Sequence, residues 1–293
     1  MMTLFCRLQI ALSTLLAASL AAHLALAEAP QRIVTIGSAV TEIAYALGQQ
    51  DRLVARDRSS TYPAPAQDLP DIGYERALAP EGVLSVAPGM IIATEGAGPP
   101  SAIGVLKEAG VDYVEIPVDY SAEGILKIIR LTGKALGQDA AAGALAARVA
   151  ADLDAATAAA AAAAAAGGTP KRVRFVLTAQ GGRIMAAGQD SGADAIISMA
   201  GGVNAAQGFD GYKPMSAEAI ATARPDVILM MRNGRDAATA DQELLSLPAL
   251  KRTPAARTGS VVRMNGQLLL GFGPRTAAGI RQLSEALYGG AGG

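Results

Sequence analysis

The feature that most constrains the fold is an alanine-dominated stretch in the middle of the chain. It runs from Asp139 to Ala166, and Gly167, Gly168 and Pro170 follow it. Alanine has the highest helix propensity, and glycine and proline end helices. A continuous helix of about 28 residues would span roughly 42 Å. The stretch therefore predicts a rigid rod between two parts of the protein, with a low-complexity linker as the alternative. Its Ala-only end carries little information about which residues belong to a core.

Short apolar runs alternate with helical patterns on both sides of this stretch. The predicted strands are residues 32–36, 53–55, 90–93, 111–116, 172–177, 227–231 and 261–264. The predicted helices are residues 41–47, 80–86, 101–109, 193–200 and 276–288. Such alternation is typical of α/β folds with mainly parallel sheets. We therefore predict two Rossmann-like α/β lobes with parallel-type sheets, at 28–137 and 169–293, joined by a single long α-helix at 138–168.

The two halves also share a short pattern. Glu81 stands seven residues before Pro88, and Glu218 stands seven residues before Pro225. A predicted strand follows each proline, and each glutamate lies near the start of a predicted helix. The pattern predicts equivalent positions for the two glutamates on two similar lobes. Two lobes enclose a cleft, and clefts between lobes are preferred ligand sites.

The first 27 residues have the pattern of a secretory signal peptide. Arg7 supplies a positive charge, an apolar stretch covers residues 8–20, and Ala25-Leu26-Ala27 forms an A-x-A cleavage site. The mature chain is then expected to begin at Glu28 and to be periplasmic. A membrane anchor is the alternative, although the apolar run is short for a membrane span.

Removal of this segment would leave few reactive side chains. Cys6 is the only cysteine, His23 is the only histidine, and the chain contains no tryptophan. Without thiol or imidazole, Ser-His-Asp and Cys-His catalysis and ordinary zinc or copper sites are excluded. One arginine is lost, so 24 basic and 26 acidic side chains give a formal charge of −2, which indicates no nucleic-acid partner. We expect no enzyme; a carboxylate-dependent extracytoplasmic hydrolase is the remote alternative.

Tyr62 lies on a loop that follows the second predicted strand. Ligands of α/β folds bind at the carboxyl ends of strands, although a tyrosine in such a loop is more often a packing residue. Several segments, in this order along the chain, carry a resemblance: 58–63, 69–78, 80–85, 95–100, 201–204, 211–214 and 270–275. The chain resembles the haem-specific substrate-binding proteins of bacterial ABC importers. They are a branch of the class III, long-helix binding proteins.

The resemblance implies specific roles for residues of the cleft. Tyr62 would be the axial ligand to the iron of haem b, and a phenolate oxygen is a suitable hard ligand for ferric iron. Arg232 would be a cation that faces this tyrosine. Arg58, Arg76 and Lys213 are further candidates, for the haem propionates. A siderophore- or cobalamin-binding protein of the same fold is the alternative, and one haem or two stacked haems fit equally well.

The same resemblance implies the partners. In related binding proteins one exposed glutamate per lobe docks on arginines of the permease, which assigns this role to Glu81 and Glu218. The expected partner is then an ABC-transporter permease dimer with its ATPase subunits. The alternative interpretation is that both glutamates only complement the positive end of a helix dipole.

Overall fold

The structure is a computed structural model, and it describes residues 31–180, 183–206, 208–232 and 237–289. The predicted signal peptide, its cleavage site and Glu28 lie outside the described residues. The described chain forms two sheets, each covered by helices, with one long helix between them in sequence.

The first sheet is entirely parallel, as the sequence predicts. Its strands are β1 (Ile33–Ile36), β2 (Leu53–Arg56), β3 (Met90–Thr94) and β4 (Asp112–Ile116). They lie in the order β2-β1-β3-β4. All four residues of β1 are buried, which explains its uninterrupted apolar sequence, since a central parallel strand is covered on both faces.

The second sheet has a parallel part, as predicted, and an antiparallel extension that the sequence analysis did not predict. Its strands are β5 (Arg172–Gln180), β6 (Arg183–Ala187), β7 (Val203–Asn204), β8 (Tyr212–Met215), β9 (Val227–Met231) and β10 (Val261–Met264). The order is β10-β9-β5-β6-β8, with β7 beside β5. Strands β10, β9, β5 and β7 are parallel, whereas β6 is antiparallel to both β5 and β8. Only two residues separate β5 from β6, and such a short connection permits only antiparallel pairing.

The helices pack on the faces of both sheets. They are α1 (Ser38–Ala46), α2 (Pro80–Leu84), α3 (Pro100–Glu108), α4 (Ala122–Ala135), α5 (Asp139–Ala166), α6 (Gly192–Met199), α7 (Ala217–Ala223), α8 (Ala237–Ser246), α9 (Pro254–Thr258), α10 (Gly266–Leu270) and α11 (Thr276–Tyr288). Short 3-10 helices lie at Gln50–Arg52 and Ala64–Asp68. Helix α4 was absent from the sequence prediction.

Helix α5 is the predicted rod, and it packs against α4 of the first lobe and α11 of the second. The buried residues of α5 recur at helical spacing and are Ala142, Leu145, Ala146, Val149, Leu153, Ala156, Ala160 and Ala164. The Ala-only end therefore contributes buried residues, although its sequence carries little information about a core. A Cβ atom on Gly201 would lie 2.8 Å from the Ala160 carbonyl oxygen, so the chain approaches this end closely. By length and composition alone α5 could also cross a membrane.

The segment between α10 and α11 reaches from the second lobe to the first. Phe272 is buried, and its ring meets the edge of the Tyr120 ring with 4.9 Å between centroids. A Cβ atom on Gly273 would lie 3.4 Å from the Cα atom of Ala39, so the absence of a side chain lets this segment approach α1. The contact places Arg275, the next residue but one, beside the first lobe.

Candidate functional site

A cavity of about 470 Å³ lies between the two lobes. Its lining includes Thr61, Tyr74, Arg76 and Tyr120 from the first lobe, and Tyr212 and Gln267 from the second. A smaller cavity of about 100 Å³ adjoins it and shares Arg76 and Tyr120 in its lining. Clefts of several hundred Å³ with aromatic walls and a few polar groups are typical small-molecule sites.

The loop that carries Tyr62 is organised by the buried carboxylate of Asp57. One carboxylate oxygen accepts hydrogen bonds from the Gly37 backbone N–H and the Ser60 hydroxyl. The other oxygen accepts from the backbone N–H and the hydroxyl of Ser59. Hydrogen bonds to a carboxylate are stronger than neutral ones. These hydrogen bonds fix the residues just before Tyr62 to the end of β1.

The next two residues of this loop contact the second lobe. The Thr61 backbone N–H and hydroxyl both donate to Oε1 of Gln267, at 3.1 and 2.9 Å. The guanidinium carbon of Arg275 lies 3.3 Å from the centroid of the Tyr62 ring. Tyr62 is 41% exposed, and its hydroxyl has no hydrogen-bond partner among the residues that the structure describes. Tyr62 follows Thr61, which lines the cavity, but Tyr62 itself is not among the lining residues; Arg275 holds its ring.

Arg275 is itself held by a buried carboxylate of the first lobe. Its Nε donates to Oε2 of Glu42 at 3.0 Å, and its backbone N–H donates to Oε1 at 3.1 Å. Glu42 is only 6% exposed. Burial raises the pKa of Glu42, and the charge and hydrogen bonds of Arg275 oppose that rise. The sequence prediction did not include either residue in the site, although Arg275 ends one of the segments on which the resemblance rests.

The predicted cations lie in different surroundings, and only Arg76 lines the cavity. Arg58 is exposed, and its Nε donates to Asp71 at 3.1 Å. Lys213 lies 5.7 Å from the centroid of the Phe209 ring. Arg232 is exposed directly after β9, where its backbone N–H donates to the Met264 carbonyl oxygen at 2.7 Å.

Three tyrosines face the cavity from the two lobes: Tyr74, Tyr120 and Tyr212. Burial, followed by the neighbouring Tyr120, raises the pKa of Tyr212 to about 12, so Tyr212 is a neutral phenol at pH 7. Burial and the nearby charge of Asp57 raise the pKa of Glu75, against the effect of Arg76. The cavity wall therefore combines three tyrosines with apolar and uncharged polar residues, and Glu75 and Arg76 are its charged side chains.

The two glutamates of the sequence pattern occupy equivalent places. Glu81 is the second residue of α2 and Glu218 is the second residue of α7, and both are exposed. Helix α2 leads into β3, which is paired in parallel with β1, the first strand of its lobe. Helix α7 leads into β9, which is paired in parallel with β5, the first strand of the second lobe. Over the described ranges, no group of three or more His, Cys, Asp or Glu residues forms a candidate metal site.

Comparisons with known proteins agree with this architecture. The periplasmic binding protein family model matches residues 33–268. The periplasmic haem-binding protein BhuT, solved with two haems, is 41% identical, with a TM-score of 0.83 over 88% of this chain and 98% of BhuT. The apo form of the haem-binding protein RhuT from Roseiflexus sp. RS-1 is 35% identical, with a TM-score of 0.81 over 90% of this chain and 100% of RhuT.

A vitamin B12-binding protein is also similar in sequence. The protein of Vibrio parahaemolyticus is 26% identical over 262 residues, which cover 88% of this chain and 90% of that protein. These likenesses and the long helix α5 confirm the family predicted from the sequence. The chain belongs to the periplasmic binding proteins and has the class III fold, in which one long helix joins two α/β lobes.

Proposed function

We propose that this protein binds haem outside the cytoplasm and delivers it to an ABC-type haem permease. The observation that carries the proposal is the likeness to BhuT, at 41% identity over nearly all of the described chain. The proteins it resembles are substrate-binding proteins, and we assign this chain no catalytic step. The expected cargo is haem b, held between the lobes in the cavity of about 470 Å³.

Tyr62 is the proposed axial ligand to the haem iron. Its hydroxyl is free of hydrogen bonds to any described residue, and its ring is held from the side by Arg275. A cation on the ring face attracts the electron-rich ring and leaves the hydroxyl at its edge open to the iron. Tyr212 has no such cation on its ring among the described residues, and burial raises its pKa to about 12.

The propionates require cations at the wall of the cleft. Arg76 is the candidate that the cavity supports best, since it lines both cavities and, within the described ranges, its only ion pair is a 3.8 Å contact with Glu75. Arg58, Lys213 and Arg232 do not line the cavity and remain further candidates. A guanidinium is suited to a propionate because its planar fork matches a carboxylate.

Glu81 and Glu218 are the proposed contacts to the permease dimer, which works with its ATPase subunits. Both side chains are exposed, and both lie at the start of a helix that leads into an equivalent strand. Exposed carboxylates at two separated points would orient the protein on arginines of the permease. Such charge pairs give orientation and rate more than affinity.

Cobalamin is a second candidate cargo, because the vitamin B12-binding protein of Vibrio parahaemolyticus is similar over 88% of this chain. A ferric siderophore belongs to the same alternative. Apo-protein should be titrated with hemin, cyanocobalamin and a ferric siderophore in parallel, with a Soret band as the readout for haem. A stoichiometric Soret endpoint with no change on addition of the other two supports haem.

Replacing Tyr62 with phenylalanine removes only the oxygen and keeps the ring under Arg275. We expect the tyrosinate-to-iron charge-transfer band to disappear and haem affinity to fall by roughly a hundredfold or more, because a directly bound ligand contributes more than an outer-shell partner. Tyr212→Phe is the matched control and should keep the band. A wild-type spectrum for Tyr62→Phe would exclude Tyr62 as the ligand.

A further inference from the structure

We infer that Arg275 is a positioning residue for Tyr62, and that the second lobe supplies through it the cation that stabilises iron ligation by the first lobe. The inference rests on the proposed function, because it assumes that Tyr62 binds the iron. It assigns to Arg275 the part that the sequence resemblance implied for Arg232.

The geometry leaves the ligand oxygen accessible. The guanidinium carbon of Arg275 is 3.3 Å from the Tyr62 ring centroid, so the cation lies on the ring face. Iron binds at the hydroxyl, which projects from the ring edge and meets no hydrogen-bonding partner in the described part of the chain. The two interactions are therefore compatible, and both can act on the same tyrosine at once.

The position of the Arg275 side chain is fixed, because Arg275 also binds the buried carboxylate of Glu42. Both Nε and the backbone N–H of Arg275 donate to the Glu42 carboxylate, at 3.0 and 3.1 Å. The Glu42 side chain is 7% exposed, and that of Arg275 is 28% exposed. A partly desolvated cation interacts more strongly with an aromatic face than an exposed one does.

The arrangement also fixes the loop itself. Gln267 accepts two hydrogen bonds from Thr61, the residue before Tyr62, so two side chains of the second lobe hold adjacent residues of the first. Arg232 makes no side-chain contact to Tyr62 among the described residues, and it is exposed. The contacts to the proposed ligand Tyr62 and its neighbour Thr61 therefore form only when the two lobes pack together.

The test is Arg275→Met in the full chain, which keeps a long side chain and removes the charge. We expect haem transfer to apomyoglobin to become roughly tenfold to thirtyfold faster, and the tyrosinate-to-iron charge-transfer band to shift. Arg281→Met is the matched control, because Arg281 lies on α11 and pairs with Asp152 at the surface. This control should match wild type in both measurements.

Arg275→Met leaves the Glu42 carboxylate buried without its partner, so the single variant could fold poorly. The double variant Glu42→Gln with Arg275→Met removes that charge and isolates the effect on Tyr62. Arg275→Lys keeps a charge without the planar stack and should release haem at an intermediate rate. A shifted band and faster release in the folded double variant support the inference.

Two outcomes separate this inference from the proposed function. If Tyr62→Phe loses the charge-transfer band while the double variant keeps the wild-type band and release rate, Arg275 has no positioning role and the inference fails alone. If Tyr62→Phe keeps the band, Tyr62 is not the ligand, and the inference fails together with that part of the proposed function.

Discussion

Replacing Arg174 with methionine should stabilise the protein. Arg174 lies in β5 and is 1% exposed, and its Nη2 donates to the Ala205 carbonyl oxygen at 2.8 Å. Its Nε and Nη1 atoms are buried without a hydrogen-bond partner among the described residues. Burial and the nearby charge of Arg172 lower the pKa of Arg174 to about 10. The fold therefore holds a charge that it solvates poorly, on the same strand face as the apolar Val176.

The size of the expected gain follows from this pKa. One pKa unit corresponds to about 1.4 kcal/mol, so the lowering of the Arg174 pKa from its ordinary value to about 10 makes the folded charge about 3 kcal/mol less favourable. Methionine loses the hydrogen bond to Ala205, which costs about 1 kcal/mol. We expect a net gain of about 2 kcal/mol in the free energy of unfolding, or a rise of roughly 4–8 °C in Tm for a protein of this size.

Thermal unfolding followed by circular dichroism at pH 7 measures this gain. Arg172→Met is the matched control on the same strand, because the Arg172 Nε and Nη2 atoms both donate to the Ala223 carbonyl oxygen. The control removes satisfied hydrogen bonds, which costs about 1–2 kcal/mol, and relieves the weaker repulsion with Arg174, so it should be clearly less stable than Arg174→Met. A Tm of Arg174→Met at or below the wild-type value would refute the reasoning and would show that the guanidinium has a partner in solution.

The pH dependence gives a second check, with a definite sign. The folded pKa of Arg174 is lowered, so the unfolded chain binds more protons than the folded chain between pH 10 and pH 12.5. The penalty is fully present below about pH 10 and is lost as the pH rises through this window. The advantage of Arg174→Met over wild type should therefore shrink as the pH is raised above 10.

Two further predictions concern the long helix and the docking residues. Gly201→Ala would place a Cβ atom 2.8 Å from the Ala160 carbonyl oxygen at a φ of +80°, so we expect a loss of about 2 kcal/mol in urea unfolding. Gly143→Ala, on the exposed face of α5 with no atom near its Cβ, should instead gain about 0.5–1 kcal/mol. The double variant Glu81→Ala with Glu218→Ala should give a normal Soret titration, with haem uptake in reconstituted vesicles reduced severalfold. Normal uptake would leave both glutamates with a role at the helix start only.

Local patterns predicted most of the fold. The bounds of the long helix were right because alanine propensity and a Gly-Gly end are local signals. Helix α4 carried a comparable signal that was overlooked: Ser121 caps it by accepting from the Gly124 N–H, and Ile125, Ile128 and Ile129 have helical spacing. The core role of the Ala-only end of α5 could not be predicted, because a uniform alanine sequence has no apolar periodicity to show which face is buried.

The site was less predictable than the fold. The position of Tyr62 on a loop after β2 followed from strand order, and its role as the iron ligand stays a prediction. The ion pair between Glu42 and Arg275 depends on how the lobes meet, and no local pattern encodes that. Arg232 was chosen because the resemblance implies an arginine that faces the tyrosine, and that role stays a prediction.

The bond between Glu42 and Arg275 also bears on how the protein is completed during synthesis. The two residues are 233 positions apart in the chain. A polypeptide emerges from its N-terminus, so the first lobe can form its sheet while Arg275 is still unmade. The loop of Tyr62 can contact Arg275 only after almost the whole chain has been synthesised. A product truncated before Arg275 would keep the side chains of the first lobe but lack the cation on the Tyr62 ring, so this contact forms only in a nearly full-length chain.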